Sequence, residues 1–263
     1  MCNLYSMTTS IEAFRQFVKA FEIAEKQRTN WPPMPGIFPD YAAPIIRNAG
    51  DGARELAFAR WGMPTPRSIL DKSAVLRADK LAARGRPIDL DLLKRMEPDG
   101  GVTNIRNAAS GHWTRWLGVE HRCVVPVTSF AEPEPQPDGS RPPAWFALDD
   151  SRPLMFFAGI HLRGWSSVRK AKTGMETVDL FAFLTCQPNA EVGGVHERAM
   201  PVILTAAPEV ERWLSAPAND ALRLQRPLPD GTLKIVARGE RRGDPPELAA
   251  EFVTANSAEP NLF

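Results

Sequence analysis

The chain has 263 residues, 43% hydrophobic and 24% charged, with a formal net charge of +1; this suits a globular protein with one large core or two modest ones, and it excludes the overall basic field of many nucleic-acid binders, so any such partner must be met by a local patch. No apolar run approaches the ~20 residues that span a bilayer. Cys2, Cys123 and Cys186 lie far apart with no CxxC pair or His-rich run, so a metal site has weak support, and an odd cysteine count without a signal peptide points to a reducing, cytoplasmic compartment.

The first segment is Met1-Cys2-Asn3. Cys2 is small enough for Met1 to be trimmed, which would leave an α-amine and a thiol on one residue, with reference pKa values of about 8 and about 8.5. Such a 1,2-aminothiol condenses with an aldehyde to an imine and closes to a thiazolidine ring. Taken alone, Met-Cys favours an incidental residue in a frayed terminus.

Thr9 and Glu12 have capping-box spacing, and Ile11, Phe14, Phe17, Val18 and Phe21 recur at helical spacing, which predicts a first helix over 10–27. The Pro-rich stretch 31–36 breaks it. Short strands are expected near 43–47 and 55–61. Residues 64–101 read as an insertion with helices near 73–84 and 89–96, ending in the turn Pro98-Asp99-Gly100-Gly101. Its Arg77, Lys80, Arg84 and Arg86 read as a solvated face, with phosphate contact as the weaker alternative. Further strands are predicted over 122–127, 144–148, 154–160 and 179–185, with a polar, proline-rich surface loop at 133–139. A short helix is expected at 209–214 and a late strand at 233–237; the polar composition from about residue 238 predicts a flexible tail. Strands outnumber helices without βαβ alternation, so the fold class is an antiparallel-rich α+β fold, with 1–263 read as one domain.

Four segments carry chemistry. In Thr103-Asn104-Ile105-Arg106-Asn107, a carboxamide and a guanidinium two apart in a strand would share one face. In the segment 122–132 an apolar strand runs into Glu132, an acid/base candidate if its surroundings raise its pKa; an exposed loop carboxylate is the plainer alternative. Cys123 reads as a small buried hydrophobe. In the segment 156–161, Gly159 permits close backbone approach and His161 reads as a strand-end residue without a catalytic role. In the segment 195–201, His196 titrates near neutrality and Arg198 beside it can pair with phosphate.

Together these segments resemble the SRAP family, the SOS-response-associated peptidases, understood as abasic-site-processing proteins. The resemblance rests on Met1-Cys2, on Arg60-Trp61-Gly62-Met63-Pro64, on Asn104-Ile105-Arg106-Asn107-Ala108, on the segment from Arg122 to Glu132, on Phe157-Ala158-Gly159-Ile160-His161, on Thr185 to Asn189 and on His196-Glu197-Arg198-Ala199-Met200-Pro201, in order. The chain departs from the family where Asn3-Leu4 replace Gly-Arg, so a phosphate-contacting Arg is missing. It departs again where Ala108 and Ala109 replace Glu-Thr, and where Pro64-Thr65-Pro66 replace Pro-Ser-Trp, leaving Trp113 or Trp116 to supply a stacking ring.

The resemblance implies a barrel-like mixed sheet with flanking helices. It implies a covalent thiazolidine cross-link between Cys2 and an abasic site in single-stranded DNA, self-removal of Met1 by peptidase action, and a possible lyase activity. It assigns catalysis to Cys2, Asn104, Glu132 and His196, and DNA contact to Arg106, Arg198, Trp61 and Asn3. No cofactor, metal or membrane is implied, and a monomer that joins the nucleoid when bound to DNA is expected. Competing readings are an N-terminal-nucleophile hydrolase such as a glutaminase, a thiol protease using Cys123 or Cys186, and a non-catalytic single-strand-binding module.

Overall fold

The computed structural model describes residues 2–14, 16–18, 21–22, 33–50 and 52–239. In chain order its strands are β1 (Leu4–Met7), β2 (Phe21–Glu22), β3 (Met34–Ile37), β4 (Ala42–Asn48), β5 (Arg54–Trp61), β6 (Asn104–Ile105), β7 (Arg122–Val127), β8 (Ser129–Pro133), β9 (Pro143–Ala147), β10 (Met155–Lys170), β11 (Gly174–Cys186), β12 (Met200–Pro201), β13 (Ile203–Leu204) and β14 (Lys234–Arg238). The helices are α1 (Ile11–Phe14), α2 (Arg67–Ala82), α3 (Leu90–Arg95), α4 (Gly111–Thr114), α5 (Ala190–Gly193), α6 (Ala207–Ser215) and α7 (Ala218–Ala221).

Strands β11, β10, β7, β4 and β5 pair in that order, and β5 pairs back onto β11. The result is a closed five-strand barrel, antiparallel at every seam except the parallel β5–β11 one. A second, wholly antiparallel sheet runs β14-β9-β8-β1-β3. Closure removes free edges, and side chains that alternate along each strand fill the lumen. Ala43, Ile45 and Arg47 point inward from β4, Trp61 from β5, Val125 from β7, Phe157 from β10 and Phe181 and Phe183 from β11.

The two ends of the lumen differ. At one end Tyr5 of β1 packs edge-on against Trp61 and Phe157, with ring centroids 5.2 and 5.9 Å apart, so the second sheet seals this mouth. At the other end Arg47 crosses the lumen to Asp179 at 2.7 Å and binds Glu55 at 2.8 Å. The chain squeezes between barrel strands at Gly159, where a Cβ would lie 3.0 Å from both the Ala182 carbonyl oxygen and Cys123 Sγ. The predicted close approach is therefore present.

Several expectations are corrected. The first helix stops at Phe14, and Phe21–Glu22 is strand; residues 23–27 of the predicted helix lie outside the described residues, as do 31–32 of the Pro-rich break and nearly all of the tail beyond 238, while 34–36 of the break fall in β3. Phe14 and Phe17 pack on Phe156 with centroids 6.2 and 5.5 Å apart, so core contacts, rather than helix continuation, claim the aromatic stripe. Helix α2 starts at Arg67, immediately after Pro66, whose fixed φ suits a helix start. His161 is in the middle of β10, not at a strand end, because β10 runs on to Lys170. Burial pushes its imidazole down to about 3. None of the described helices is long and apolar enough to cross a membrane.

Candidate functional site

Strand pairing brings the first residues of the chain to β8. Leu4 pairs with Ala131 and Tyr5 with Phe130; the same register, carried one step further, sets Asn3 across from Glu132. Cys2 and Glu132 are both fully buried, at 0% exposure. The Cys2 thiol donates toward the Leu4 carbonyl oxygen at 3.5 Å. The short strand β6, which pairs in parallel with β11 through Asn104 and Phe183, delivers Asn104 from a third segment. Its Nδ2 donates to the Cys2 carbonyl at 2.8 Å and to Thr103 Oγ1 at 2.9 Å. Its Oδ1 is buried with no hydrogen-bond partner among the described residues.

His196 comes from a fourth segment. Asn189 caps α5 by accepting from the Val192 N–H at 3.2 Å, and the turn that follows is closed by His196 N–H to Val192 O at 2.7 Å. This places His196 Nε2 4.0 Å from Glu132 Oε2. Cys2, Asn104, Glu132 and His196 thus form one cluster.

Burial sets the proton affinities. It holds the Cys2 thiol well above its usual range, reinforced by the charge of Glu132. It raises the Glu132 carboxyl to about 7. It also lowers the His196 imidazole, with help from Arg198. Near neutrality the cluster therefore combines a protonated thiol, a carboxyl close to half-ionised and a neutral imidazole. That set can accept and return protons within one buried pocket.

At the end of β8 a cleft of about 300 Å³ is lined by Asn3, Leu4, Phe38, Glu132, Pro133 and Arg141 among others, and none of Cys2, Asn104 and His196 lines it. Asn3 is exposed, and its Oδ1 accepts from Thr103 Oγ1 at 3.4 Å. Arg198 and Arg106 are both exposed, and Arg106 does not share a face with Asn104, because β6 ends at Ile105. Trp61 is not at a DNA-facing surface: it is fully buried, stacked on Phe183 at 5.1 Å, and its Nε1 donates to the Thr103 carbonyl at 3.0 Å. It holds the segment that carries Asn104. Trp113 and Trp116 are also buried. Thr103, which bonds both Asn3 and Asn104, is a site residue that the sequence does not announce as such, although it adjoins a recognised motif.

Cys123 and Cys186 do not join the cluster. Burial raises both thiols, that of Cys186 to about 12, which disfavours a reactive thiolate at either. Among the described residues no three His, Cys, Asp or Glu side chains are grouped to hold a metal ion.

A solved structure from Bordetella bronchiseptica is 24% identical, with a TM-score of 0.55, over 89% of this chain and 97% of that one. One from Bacteroides thetaiotaomicron is 21% identical, with a TM-score of 0.59, over 89% and 90%. A phage-related protein of B. bronchiseptica is 18% identical, with a TM-score of 0.57, over 89% and 92%. These likenesses establish a shared fold. No curated protein matches the sequence. The sequence profile of the SOS response associated peptidase (SRAP) family matches residues 102–238, which carry Asn104, Glu132 and His196. The chain belongs to the SOS response associated peptidase family.

Proposed function

We propose that the protein captures abasic sites in single-stranded DNA through Cys2, once Met1 has been removed. The observation that carries this reading is the convergence of Cys2, Asn104, Glu132 and His196 from four separate segments, with Glu132 raised to about 7 at the centre.

An abasic sugar interconverts between a closed ring and a free aldehyde. His196 assists ring opening as a neutral imidazole. The freed Cys2 amine attacks the aldehyde carbon, giving a carbinolamine that loses water to an imine. The Cys2 thiol then adds to the imine carbon: the C–S bond forms, and the thiol proton passes by way of the Glu132 carboxylate to the ring nitrogen. The net change is aldehyde plus aminothiol to thiazolidine plus one water. A thiol kept protonated by burial suits this order, because the amine reacts first. Asn104 holds the Cys2 carbonyl, and its spare Oδ1 is available to orient the amine. The exposed Arg106 and Arg198 hold flanking phosphates. The same terminal Cys2 serves the removal of Met1, and Glu132 and His196 serve reversal of the link.

The test is a denaturing gel of Met1-processed protein with a single-stranded oligonucleotide carrying one abasic site. Wild type gives a slow-migrating adduct; an adduct of equal yield with Cys2→Ala would overturn the assignment.

A further inference from the structure

The insertion between β5 and β6 is a helical arm whose large apolar side chains stay outside the core. Helix α2 buries only Ala74 and Ala78, and α3 has no buried residue. Neither helix contributes a side chain to the main hydrophobic core. Polar contacts hold the arm instead. Asp99 accepts from the Thr65 hydroxyl at 2.6 Å and from the Thr65 and Gly101 N–H groups at 3.1 and 2.9 Å. Its own N–H donates to the Val168 carbonyl at 2.8 Å, and Arg77 pairs with Glu97 at 3.1 Å. Of the eleven large hydrophobic side chains exposed among the described residues, seven lie between Ile69 and Met96, so the exposed apolar surface is concentrated on this arm rather than scattered.

Between the two helices lies a groove of about 430 Å³ lined by Val75, Leu76, Asp71, Lys72 and Lys94. Val75 is 40% and Leu76 62% exposed. Asp71 is paired with Arg67 at 2.9 Å, whereas the ammonium groups of Lys72 and Lys94 have no ion pair or hydrogen bond among the described residues. An aliphatic groove with two unpaired ammonium groups suits apolar side chains flanked by carboxylates. It offers no aromatic ring on which a nucleic-acid base could stack. Residues 67–96 carry eight basic and four acidic side chains, a net of +4, so a second copy of the arm would meet it with like charge.

Residues 243–263 have the opposite character. They carry Asp244, Glu247, Glu251 and Glu259 and no Lys, Arg or His, a net of −4. In Glu247-Leu248-Ala249-Ala250-Glu251-Phe252 the two large apolar residues are four apart, and so are the two carboxylates. In a helix that spacing makes one apolar stripe with an acidic stripe beside it. The chain also leaves the body on the side of the arm. Ala237 and Phe38 pack on the same small cluster of Leu4, Ala131 and Trp145. Two residues beyond Phe38, Asp40 accepts from Arg169, which donates to the Gly62 and Gly100 carbonyls at the base of the arm at 3.2 and 3.4 Å. Residues 240–246, when extended, cover about 25 Å, and Val75 stands about 12 Å along α2 from its start at that base. We propose that residues 247–253 of this same chain dock in the α2–α3 groove, with Leu248 and Phe252 against Val75 and Leu76, and Glu247 and Glu251 on Lys72 and Lys94.

Photo-cross-linking of the full chain tests this. Phe252 is replaced with p-benzoylphenylalanine, the protein is irradiated, and the linked peptides are mapped by mass spectrometry. Cross-links form within one chain, to peptides from residues 67–96. Lys72→Glu with Lys94→Glu lowers their yield roughly tenfold, the scale of two exposed ion pairs turned to repulsion, and adding Glu247→Lys with Glu251→Lys restores it. Leu76→Ser lowers the yield without a change of charge. All these side chains lie outside the core, so each variant keeps the circular dichroism spectrum of wild type. Cross-links to other parts of the chain, cross-links found only at the mass of a dimer, or a yield indifferent to the charge reversals would overturn the proposal.

Discussion

Asn104 Nδ2 and the Cys2 carbonyl oxygen meet at 2.8 Å although 102 positions separate them in sequence. This bond ties the start of the chain to the barrel wall, since β6 is paired to β11. Asn104→Ala strands a buried acceptor, which costs about 1–3 kcal/mol. Single-turnover adduct formation should slow by about tenfold or more, with a circular dichroism spectrum like that of wild type. A rate equal to wild type would separate Asn104 from the chemistry.

Glu132 gives a pH signature. Its folded carboxyl lies at about 7 against an ordinary value of 4.5, so between those values the native protein binds more protons than the unfolded chain, and stability falls as pH rises. The full effect above pH 7 is about 3 kcal/mol. Glu132→Gln removes the buried charge, so it should raise the melting temperature at pH 8 and change it little at pH 4. Adduct formation in wild type should climb as pH passes through about 7 and the carboxylate forms, and Glu132→Gln should lose that step. A melting temperature shift equal at both pH values would contradict the assignment of this proton.

His196 faces Glu132 at 4.0 Å and is lowered by burial, so it is neutral at pH 7. His196→Ala should reduce adduct formation by about 100-fold, the usual scale of lost general acid–base catalysis. The loss falls on proton transfer rather than on binding, so anisotropy should show affinity for an unreactive abasic analogue within about twofold of wild type. Loss of affinity in step with rate would mark His196 as a binding group.

The plug at the far end of the barrel offers a test of the fold. Arg47 is 8% exposed and bridges Glu55 and Asp179. Arg47→Ala removes the cation the two carboxylates share, but both are partly exposed and Glu55 keeps Arg163, so the cost is about 1–2 kcal/mol. Urea unfolding should show a lower midpoint with an unchanged m-value, while adduct formation below the transition proceeds at the wild-type rate.

Much of this is legible in the sequence, in patches set by physical cause. Strand β7 coincides with the predicted 122–127, and α6 and β14 fall within a residue or two of expectation, because an apolar run bounded by turn residues has few other solutions. The antiparallel-rich α+β class is correct, and the barrel implied by the resemblance is present. The first helix is shorter than its pattern predicts because Phe14 and Phe17 owe their spacing to Phe156, a residue remote in sequence. Trp61 departs from expectation for the same reason: its motif marks the residue but not the direction of its ring, which pairing with β11 turns into the core.

The central claim is that amine and thiol of Cys2 act together on one aldehyde. Cys2→Ser keeps the amine and replaces the thiol with a weaker nucleophile, so it should stop at the imine. The decisive measurement is an adduct gel with an abasic single strand, with and without borohydride, for wild type and Cys2→Ser. The account predicts a wild-type adduct that survives denaturation untreated, and a Cys2→Ser adduct seen only after borohydride reduces the imine. A Cys2→Ser adduct as stable as wild type without reduction would contradict thiazolidine closure.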